Sequence, residues 1–370
     1  MLANAKAKAR LRRGELVAAA LAGAWRGSPP PLALSPAELA EVTPLLLGTG
    51  GGSLGWWRVR SSDCRTSPQA LELQQAYRLQ ILHAALHERE ITETITLLRS
   101  SGVEPLLAKG WAVARLYPEP GLRPYGDIDL WVQAEQRSAA LAALVTCTAP
   151  ACPVDLHQRF TERIDRTLDE LYARSQLVRL DGVEVRILGP EDHLRLLCIH
   201  TFGHGAWRPL WLCDIGAALE SRPADFDWEY CLGGSRRRSD WVACALGLAH
   251  RLLGAELDGT PVASRADHLP SWLVPTVLWE WGVPYRHRSS IVTYLRHPAG
   301  ALEALRQCWP NPILATVEVG GPFNELPRLP FQIGQCLRRS AQIAAELAGS
   351  LRRQQGGVPA LSPPSADRDG

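Results

Sequence analysis

The segment "DIDLWV", residues 127 to 132, places two aspartates one residue apart in an otherwise apolar stretch. Side chains alternate between the two faces of a β-strand, so Asp127 and Asp129 share one face with residue 131, and Ile128, Leu130 and Val132 share the other. Two carboxylates this close repel each other unless a cation lies between them. Hard divalent ions such as Mg2+ bind carboxylate oxygens, so the segment predicts a metal site on one face of a buried strand.

A third carboxylate follows in the segment "VDLH", residues 154 to 157. The same alternation places Asp155 and His157 together on the polar face of a second strand. We therefore predict Asp127, Asp129 and Asp155 as catalytic metal ligands for Mg2+ or Mn2+. In a two-metal site, one ion lowers the pKa of the attacking hydroxyl and the other holds a triphosphate. His157 is a candidate substrate contact, although a hydrogen-bonded structural histidine explains it equally well.

Upstream of these acids, a Lys-Gly pair lies at a predicted turn from a strand into a helix. Glycine allows the backbone to approach a ligand closely, and a helix N-terminus attracts anions. Lys109 and Gly110 are therefore predicted to contact the β- and γ-phosphates of a nucleotide. Arg123, four residues before Asp127, is predicted to add a bidentate phosphate contact.

The stretch from residue 106 to 132, with "VDLHQRF" downstream, resembles the DNA polymerase β-type nucleotidyltransferase superfamily. More narrowly, it is similar to an uncharacterised bacterial nucleotidyltransferase family with a Lys-Gly, Arg, Asp-x-Asp pattern, related to the AbiEii-type toxin nucleotidyltransferases. The Asp-x-Asp pair and the later strand acid of that superfamily bind the metals. The resemblance therefore implies metal binding by Asp127, Asp129 and Asp155, and it matches the Lys-Gly and Arg elements to Lys109, Gly110 and Arg123.

The resemblance implies an enzyme that transfers a nucleoside monophosphate from an NTP, with ATP favoured, to an acceptor hydroxyl or phosphate and releases pyrophosphate. The acceptor is open among a natural product, a peptide, a sugar, tRNA and a protein. The superfamily's Gly-Ser motif reads Gly110-Trp111 here, so no serine hydroxyl contacts the triphosphate. Two alternatives follow: a non-catalytic nucleotide- or peptide-binding accessory protein that keeps the fold, and a kinase that transfers the γ-phosphate. Trp111 and Trp131 are interpreted as core residues in preference to base-stacking ones.

We predict an α+β fold: a small mixed β-sheet nucleotidyltransferase core, polymerase β-like, with N-terminal helices and a helical C-terminal domain. The predicted division is 1–66 for N-terminal helices and linker, 67–189 for the core, 190–353 for the helical domain and 354–370 for a disordered tail. An Asp-Gly pair at 181–182 between alternating runs predicts a hairpin. The glycine-rich "GTGGGSLG", residues 48 to 55, is interpreted as a flexible connector, because it lacks the Lys-Ser/Thr ending of a phosphate loop.

The net charge of +2 gives no global argument for nucleic acid or membrane partners. Nucleic acid is therefore not indicated, although tRNA stays among the acceptors. No run approaches the roughly 20 apolar residues of a membrane span. The basic N-terminus is interpreted as the start of a helix in preference to a signal peptide, because Glu15 interrupts the junction with the apolar run. Nine scattered cysteines without a C-x-x-C pair favour a reducing cytoplasm.

Four side chains of the predicted helical domain invite a metal-hydrolase interpretation: His193, His200, His204 and Asp214. Their order and spacing place only some of them on one helix face, so a structural role is preferred. A buried hydrogen bond between His200 and Asp214 is expected. The arginine run at 236–238 is interpreted as a solvated helix surface rather than an RNA contact.

Overall fold

The computed structural model describes residues 2–146, 153–157, 164–284 and 309–355. The backbone contacts divide the chain into two compact units. One comprises Met1–Arg286 with Pro322–Glu325, and the other comprises His287–Gly321 with Leu326–Gly370. The domain boundaries proposed from the sequence, at residues 66 and 189, stay a prediction.

The first unit contains a five-stranded mixed sheet with the strand order β3-β2-β1-β5-β4. Its strands are β1 Leu106–Leu107, β2 Ile128–Trp131, β3 Val154–Leu156, β4 Gln176–Leu180 and β5 Val183–Ile187. β1 runs antiparallel to its neighbour β2 and parallel to its other neighbour β5. β2 and β3 run parallel to each other. The mixed sheet, surrounded by helices, confirms the predicted α+β class.

The strands β4 and β5 form the hairpin that the Asp-Gly pair predicts. Leu180 pairs with Val183 across a two-residue turn, and both turn residues have positive φ, 45° for Asp181 and 85° for Gly182. Two consecutive positive φ angles define the type I′ turn, whose twist matches that of the flanking strands. The turn chemistry therefore sets the register of this edge of the sheet.

The helices of the first unit are α1 Leu2–Leu21, α2 Pro36–Gly48, α3 Gly52–Val59, α4 Pro68–Ser100, α5 Gly110–Ala114, α6 Arg137–Thr146, α7 Leu168–Ala173, α8 Pro190–Gly203, α9 Pro209–Glu220, α10 Trp228–Leu232, α11 Arg236–Leu253, α12 Ala263–Ala266 and α13 Leu273–Trp281. The helices from α8 to α13 lie within the segment 190–353, which was predicted to be helical.

The long helix α4 covers the sheet. It begins at Pro68, and its N-cap is Ser67, whose side chain accepts a hydrogen bond from the amide of Ala70. Apolar residues near its C-terminal end pack in one cluster with buried residues of β1 and β2, among them Ile91, Ile95 and Leu98 from the helix and Ile128 from the sheet. The apolar face of β2 is thereby buried, which leaves its aspartate face on the other side of the strand.

The glycine-rich segment at 48–55 is not a flexible connector, so this expectation was wrong. Helix α3 begins inside it at Gly52. The apolar residues that follow the glycines are buried, with Leu54 fully covered and Trp57 only 3% exposed. Burial of these side chains offsets the entropy cost of ordering a glycine-rich backbone.

The second unit contributes the helices α14 Pro312–Glu318 and α15 Leu329–Gln355. The side chain of Asn311 caps α14 by accepting hydrogen bonds from the amides of Ile313 and Leu314. Residues 356–370 of the predicted disordered tail lie outside the described residues. Among the residues that the structure describes, no helix combines the length and apolarity needed to cross a membrane.

Candidate active site

Two of the predicted metal ligands are direct neighbours in the sheet. In the parallel pair of β2 and β3, Asp129 is in register with Asp155. With His157 they form a group in which one ligand atom from each residue lies within 4.8 Å of those of the others. The period-two alternation of the two strands places all three side chains on one face. The structure therefore brings together three of the residues singled out from the sequence.

Asp129 is the buried centre of this group, with 3% of its side chain exposed. Its Oδ1 atom lies 3.1 Å from the Lys109 ammonium, and the same oxygen contacts the His157 ring at Nε2. Burial disfavours the ionised carboxylate, but Lys109 and the His157 hydrogen bond outweigh burial and lower the pKa of Asp129. The carboxylate is therefore held ionised inside the protein.

Asp155 and His157 form the open side of the group. The Asp155 side chain is 52% exposed, and its Oδ2 atom lies 3.6 Å from Nε2 of His157. The imidazole thus bridges the buried and the exposed carboxylate. The role of His157 as a substrate contact stays a prediction.

Asp127 lies immediately before β2, at an exposed position, and does not belong to the compact group of three. Desolvation by the surrounding protein, followed by the nearby charge of Asp129, raises the pKa of the Asp127 carboxyl, while Lys109 and Arg123 act in the opposite direction. The charge of this carboxyl therefore interacts with the charges of the group. Its role as a metal ligand stays a prediction.

The Lys-Gly turn has an unusual backbone. Lys109 has φ 46° and ψ −148°, and Gly110 has φ 45°. A non-glycine residue in this region is strained by about 1–3 kcal/mol, and such strain concentrates at functional sites. Gly110 also lies close to the backbone of Asp127: a Cβ atom built on Gly110 would be 3.5 Å from the Asp127 carbonyl oxygen. The turn directs the Lys109 ammonium onto Asp129, and its predicted contact with phosphate stays a prediction.

Arg123 is buried, and its guanidinium pairs with a carboxylate outside the acid group. Its Nη2 atom lies 2.8 Å from Oδ2 of Asp214 on α9, and its Nε atom lies 3.1 Å from Oδ1 of the same carboxylate. Asp214 is fully buried and also accepts a 2.8 Å hydrogen bond from the Tyr117 hydroxyl. Asp214 thus occupies the Nε–Nη2 edge of the guanidinium, and the bidentate phosphate contact expected of Arg123 stays a prediction. The two residues lie 91 positions apart, so no local pattern in the sequence could predict that they pair.

The two tryptophans near the site are buried core residues, with 6% exposure for Trp111 and 2% for Trp131. The indole nitrogen of Trp111 donates a 3.2 Å hydrogen bond to Glu88 on α4. This confirms the interpretation of both rings as core. Among the described residues, the group of side chains able to hold a metal ion does not include His193, His200, His204 or Asp214.

Comparison with known proteins gives one family match. The profile of a family described as "Uncharacterised nucleotidyltransferase" matches residues 56–146 and 149–254, which together exceed half of the chain. The two matched segments contain Lys109, Asp129, Asp155 and Asp214. The resemblance to a nucleotidyltransferase family stated from the sequence is thereby confirmed, while a bacterial origin stays a prediction.

A search of curated proteins gives no match. Among solved structures, the chain is similar to an antigenic nucleotidyltransferase-like protein from Paracoccidioides brasiliensis, with 15% sequence identity and a TM-score of 0.36. The alignment covers 48% of this chain and 97% of that chain. A similarity this distant carries no argument about activity.

Proposed function

Because the chain belongs to the uncharacterised nucleotidyltransferase family, we propose that it transfers a nucleoside monophosphate from an NTP, with ATP favoured, to an acceptor hydroxyl or phosphate. The observation that supports this most directly is the register of Asp129 with Asp155, with Lys109 and His157 beside them. Paired strand carboxylates next to a lysine suit phosphoryl chemistry, in which the protein mainly positions groups and stabilises charge.

The donor set fits a divalent cation. Mg2+ and Mn2+ prefer carboxylate oxygens, which Asp129 and Asp155 supply. Asp127, immediately before β2, is the third carboxylate of the proposed site. An imidazole ligand from His157 would favour Mn2+, because nitrogen ligands suit transition-metal ions better than Mg2+. When bound, the metal lowers the pKa of the attacking hydroxyl and offsets charge on the triphosphate.

The proposed step forms one bond and breaks one. An acceptor oxygen attacks the α-phosphorus, the bond from that phosphorus to the oxygen bridging the β-phosphate breaks, and pyrophosphate leaves. Asp155, the half-exposed carboxylate, takes up the proton of an acceptor hydroxyl. Lys109 and the backbone at Gly110 face the β- and γ-phosphates, which orients the leaving group. The acceptor is open among a natural product, a peptide, a sugar, tRNA and a protein.

The test compares ATP labelled at the α-phosphate with ATP labelled at the γ-phosphate, in a cell extract that supplies acceptors. The proposal expects α-label on an acceptor together with stoichiometric pyrophosphate. Asp129→Asn and Asp155→Asn should each lower this transfer by at least about a hundredfold, since each removes a group that stabilises the transition state. Asp258→Asn, at an exposed loop position, is the matched control and should keep the wild-type rate.

Two other outcomes would replace the proposal. Transfer of the γ-label without pyrophosphate would identify a kinase. ATP binding without transfer of either label would identify a non-catalytic nucleotide-binding accessory protein. One observation favours this last alternative: the position of the superfamily's serine is occupied by the buried Trp111, which supplies no hydroxyl to a triphosphate.

A further inference from the structure

The bend between α5 and β2, residues 118–127, is anchored through alternate residues. Glu119 accepts a 2.6 Å hydrogen bond from the Tyr77 hydroxyl on α4. Gly121, with φ 78°, lies against the α4 backbone, because a Cβ built on it would be 2.7 Å from the Ile81 amide nitrogen. The Tyr125 ring packs against His87 at 5.2 Å between ring centroids. Three of the odd-numbered residues of the bend thus contact α4.

A fourth odd-numbered residue of the bend, Arg123, reaches a different helix. It pairs with Asp214 of α9, and Tyr117, just before the bend, donates its hydroxyl to the same carboxylate. Arg123 also donates a 3.1 Å hydrogen bond to the carbonyl of Pro124 within the bend. An ion pair buried this completely has strict geometry, because a shifted partner leaves an uncompensated charge in a low-dielectric interior.

Asp127 is the next odd-numbered residue and the end of the bend. On its far side the chain is anchored by the Ile128 amide, which donates a 2.9 Å hydrogen bond to the Pro153 carbonyl. The Asp127 carboxyl faces repulsion from Asp129 and Asp155. The two anchored ends of the bend therefore set where this carboxyl lies relative to the Asp129 group.

We propose that Tyr117, Arg123 and Asp214 are positioning residues, which lock the bend to α9 and thereby hold Asp127 beside the Asp129 group for metal binding and catalysis. The proposal rests on the nucleotidyl transfer proposed above. It assigns a role to Tyr117 and Asp214, and it makes Arg123 act through Asp214 instead of through direct phosphate contact.

The test uses two mild variants of the full chain. Tyr117→Phe removes one hydrogen bond to Asp214 and keeps the ring, and Asp214→Asn removes the charge and keeps the side-chain volume. The proposal expects each to lower kcat by about tenfold or more, with a smaller change in the KM for ATP, because misplacement of a catalytic group affects turnover. It also expects weaker Mn2+ binding and faster hydrogen exchange of the amides at 119–127.

The chain offers a matched control. Asp192 of α8 is also fully buried, its Oδ1 atom lies 3.6 Å from Arg166, and its Oδ2 atom accepts a 3.4 Å hydrogen bond from Tyr230. Asp192→Asn and Tyr230→Phe therefore disturb the same types of side chain in another part of the fold. They should leave kcat, Mn2+ binding and exchange at 119–127 unchanged, whatever their effect on the thermal midpoint.

An apolar replacement of the pair, Arg123→Met with Asp214→Leu, avoids leaving a lone buried charge. The proposal expects the thermal midpoint to recover relative to Asp214→Asn while kcat stays low. Recovery of both would overturn it, because the pair would then serve stability alone. A lower KM for ATP in Asp214→Asn would also overturn the proposal. It would indicate that Arg123, once freed from Asp214, binds phosphate directly. If Asp214→Asn does not fold, Tyr117→Phe and the double variant decide.

The outcomes separate this inference from the proposed function. A wild-type chain that transfers no α-label contradicts the proposed function, yet hydrogen exchange at 119–127 still reports whether Tyr117 and Asp214 hold the bend. A wild-type chain that transfers the label, with Tyr117→Phe and Asp214→Asn no slower than the control variants, contradicts the positioning role alone.

Discussion

The ammonium of Lys109 lies 3.1 Å from the Oδ1 atom of Asp129, and only 3% of the Asp129 side chain is exposed. The two residues come from different elements, Lys109 from the turn before α5 and Asp129 from the middle of β2. Without a neighbouring cation, a carboxylate buried this deeply would favour its protonated form. Lys109 therefore keeps the central carboxylate of the site ionised, and a strained backbone places it there.

Because the backbone of Lys109 is strained, we expect glycine at this position to give a more stable protein than alanine, the reverse of the usual order. Lys109→Gly and Lys109→Ala both remove the ammonium, but only glycine adopts φ 46° without strain. We expect the glycine variant to be more stable than the alanine variant by about 1 kcal/mol, whereas alanine is the more stable residue in ordinary positions. Urea denaturation of the two variants measures the difference. Equal stabilities, or a more stable alanine variant, would show that the turn is relaxed.

Replacement of His157 is expected to change the metal preference of the site. His157→Gln keeps a polar side chain near Asp155 and removes the imidazole nitrogen. We expect Mn2+ binding to weaken by about tenfold and Mg2+ binding to change less, because Mg2+ gains little from a nitrogen ligand. Calorimetric titration with each ion tests this. A parallel loss for both ions would indicate that His157 orients Asp129 without binding metal.

Gly121→Ala is expected to destabilise the fold. The residue has φ 78°, and the new methyl group would lie 2.7 Å from the Ile81 amide nitrogen, so α4 and the bend must separate. We expect a loss of about 2 kcal/mol or more in the free energy of unfolding. Gly48→Ala, at a helix end where the methyl group would meet no atom within 4 Å, is the control. A small effect in the first variant would mean that the bend is mobile on α4.

The buried Asp192 is expected to make stability depend on pH. Burial raises the pKa of its carboxyl from 3.8 to about 6, against the opposing charges of Arg166 and Arg174. Between these values the unfolded chain loses a proton that the folded chain keeps, so the stability that this group contributes is present below pH 3.8 and is lost as pH rises towards 6.

We therefore expect Asp192→Asn, which cannot ionise, to be less destabilising at pH 7 than at pH 4. The full shift corresponds to about 3 kcal/mol as an upper limit. Chemical denaturation of both proteins at the two pH values provides the measurement. An identical cost at both pH values would show that the native carboxyl titrates normally.

Much of the candidate site could be read from local pattern. The shared face of Asp129 with Asp155 and His157 follows from the period of two in a strand, and the Asp181-Gly182 turn follows from the φ angles that those two residues tolerate. The glycine-rich segment was misread for a physical reason. Its flexibility as an isolated peptide is real, but burial of Leu54 and Trp57 orders it, and burial is a property of the whole fold.

The amino-acid sequence alone determined which side chains can face the same way along a strand and which dipeptide can close a turn, because both depend on the backbone geometry of a few adjacent residues. The tertiary structure alone decided that Lys109 pairs with Asp129 while Arg123 pairs with Asp214. The choice between partners for two neighbouring cations depends on which carboxylate each can reach and how far both are removed from water. Those distances arise only when α9 packs beside the bend, so no spacing along the chain encodes them.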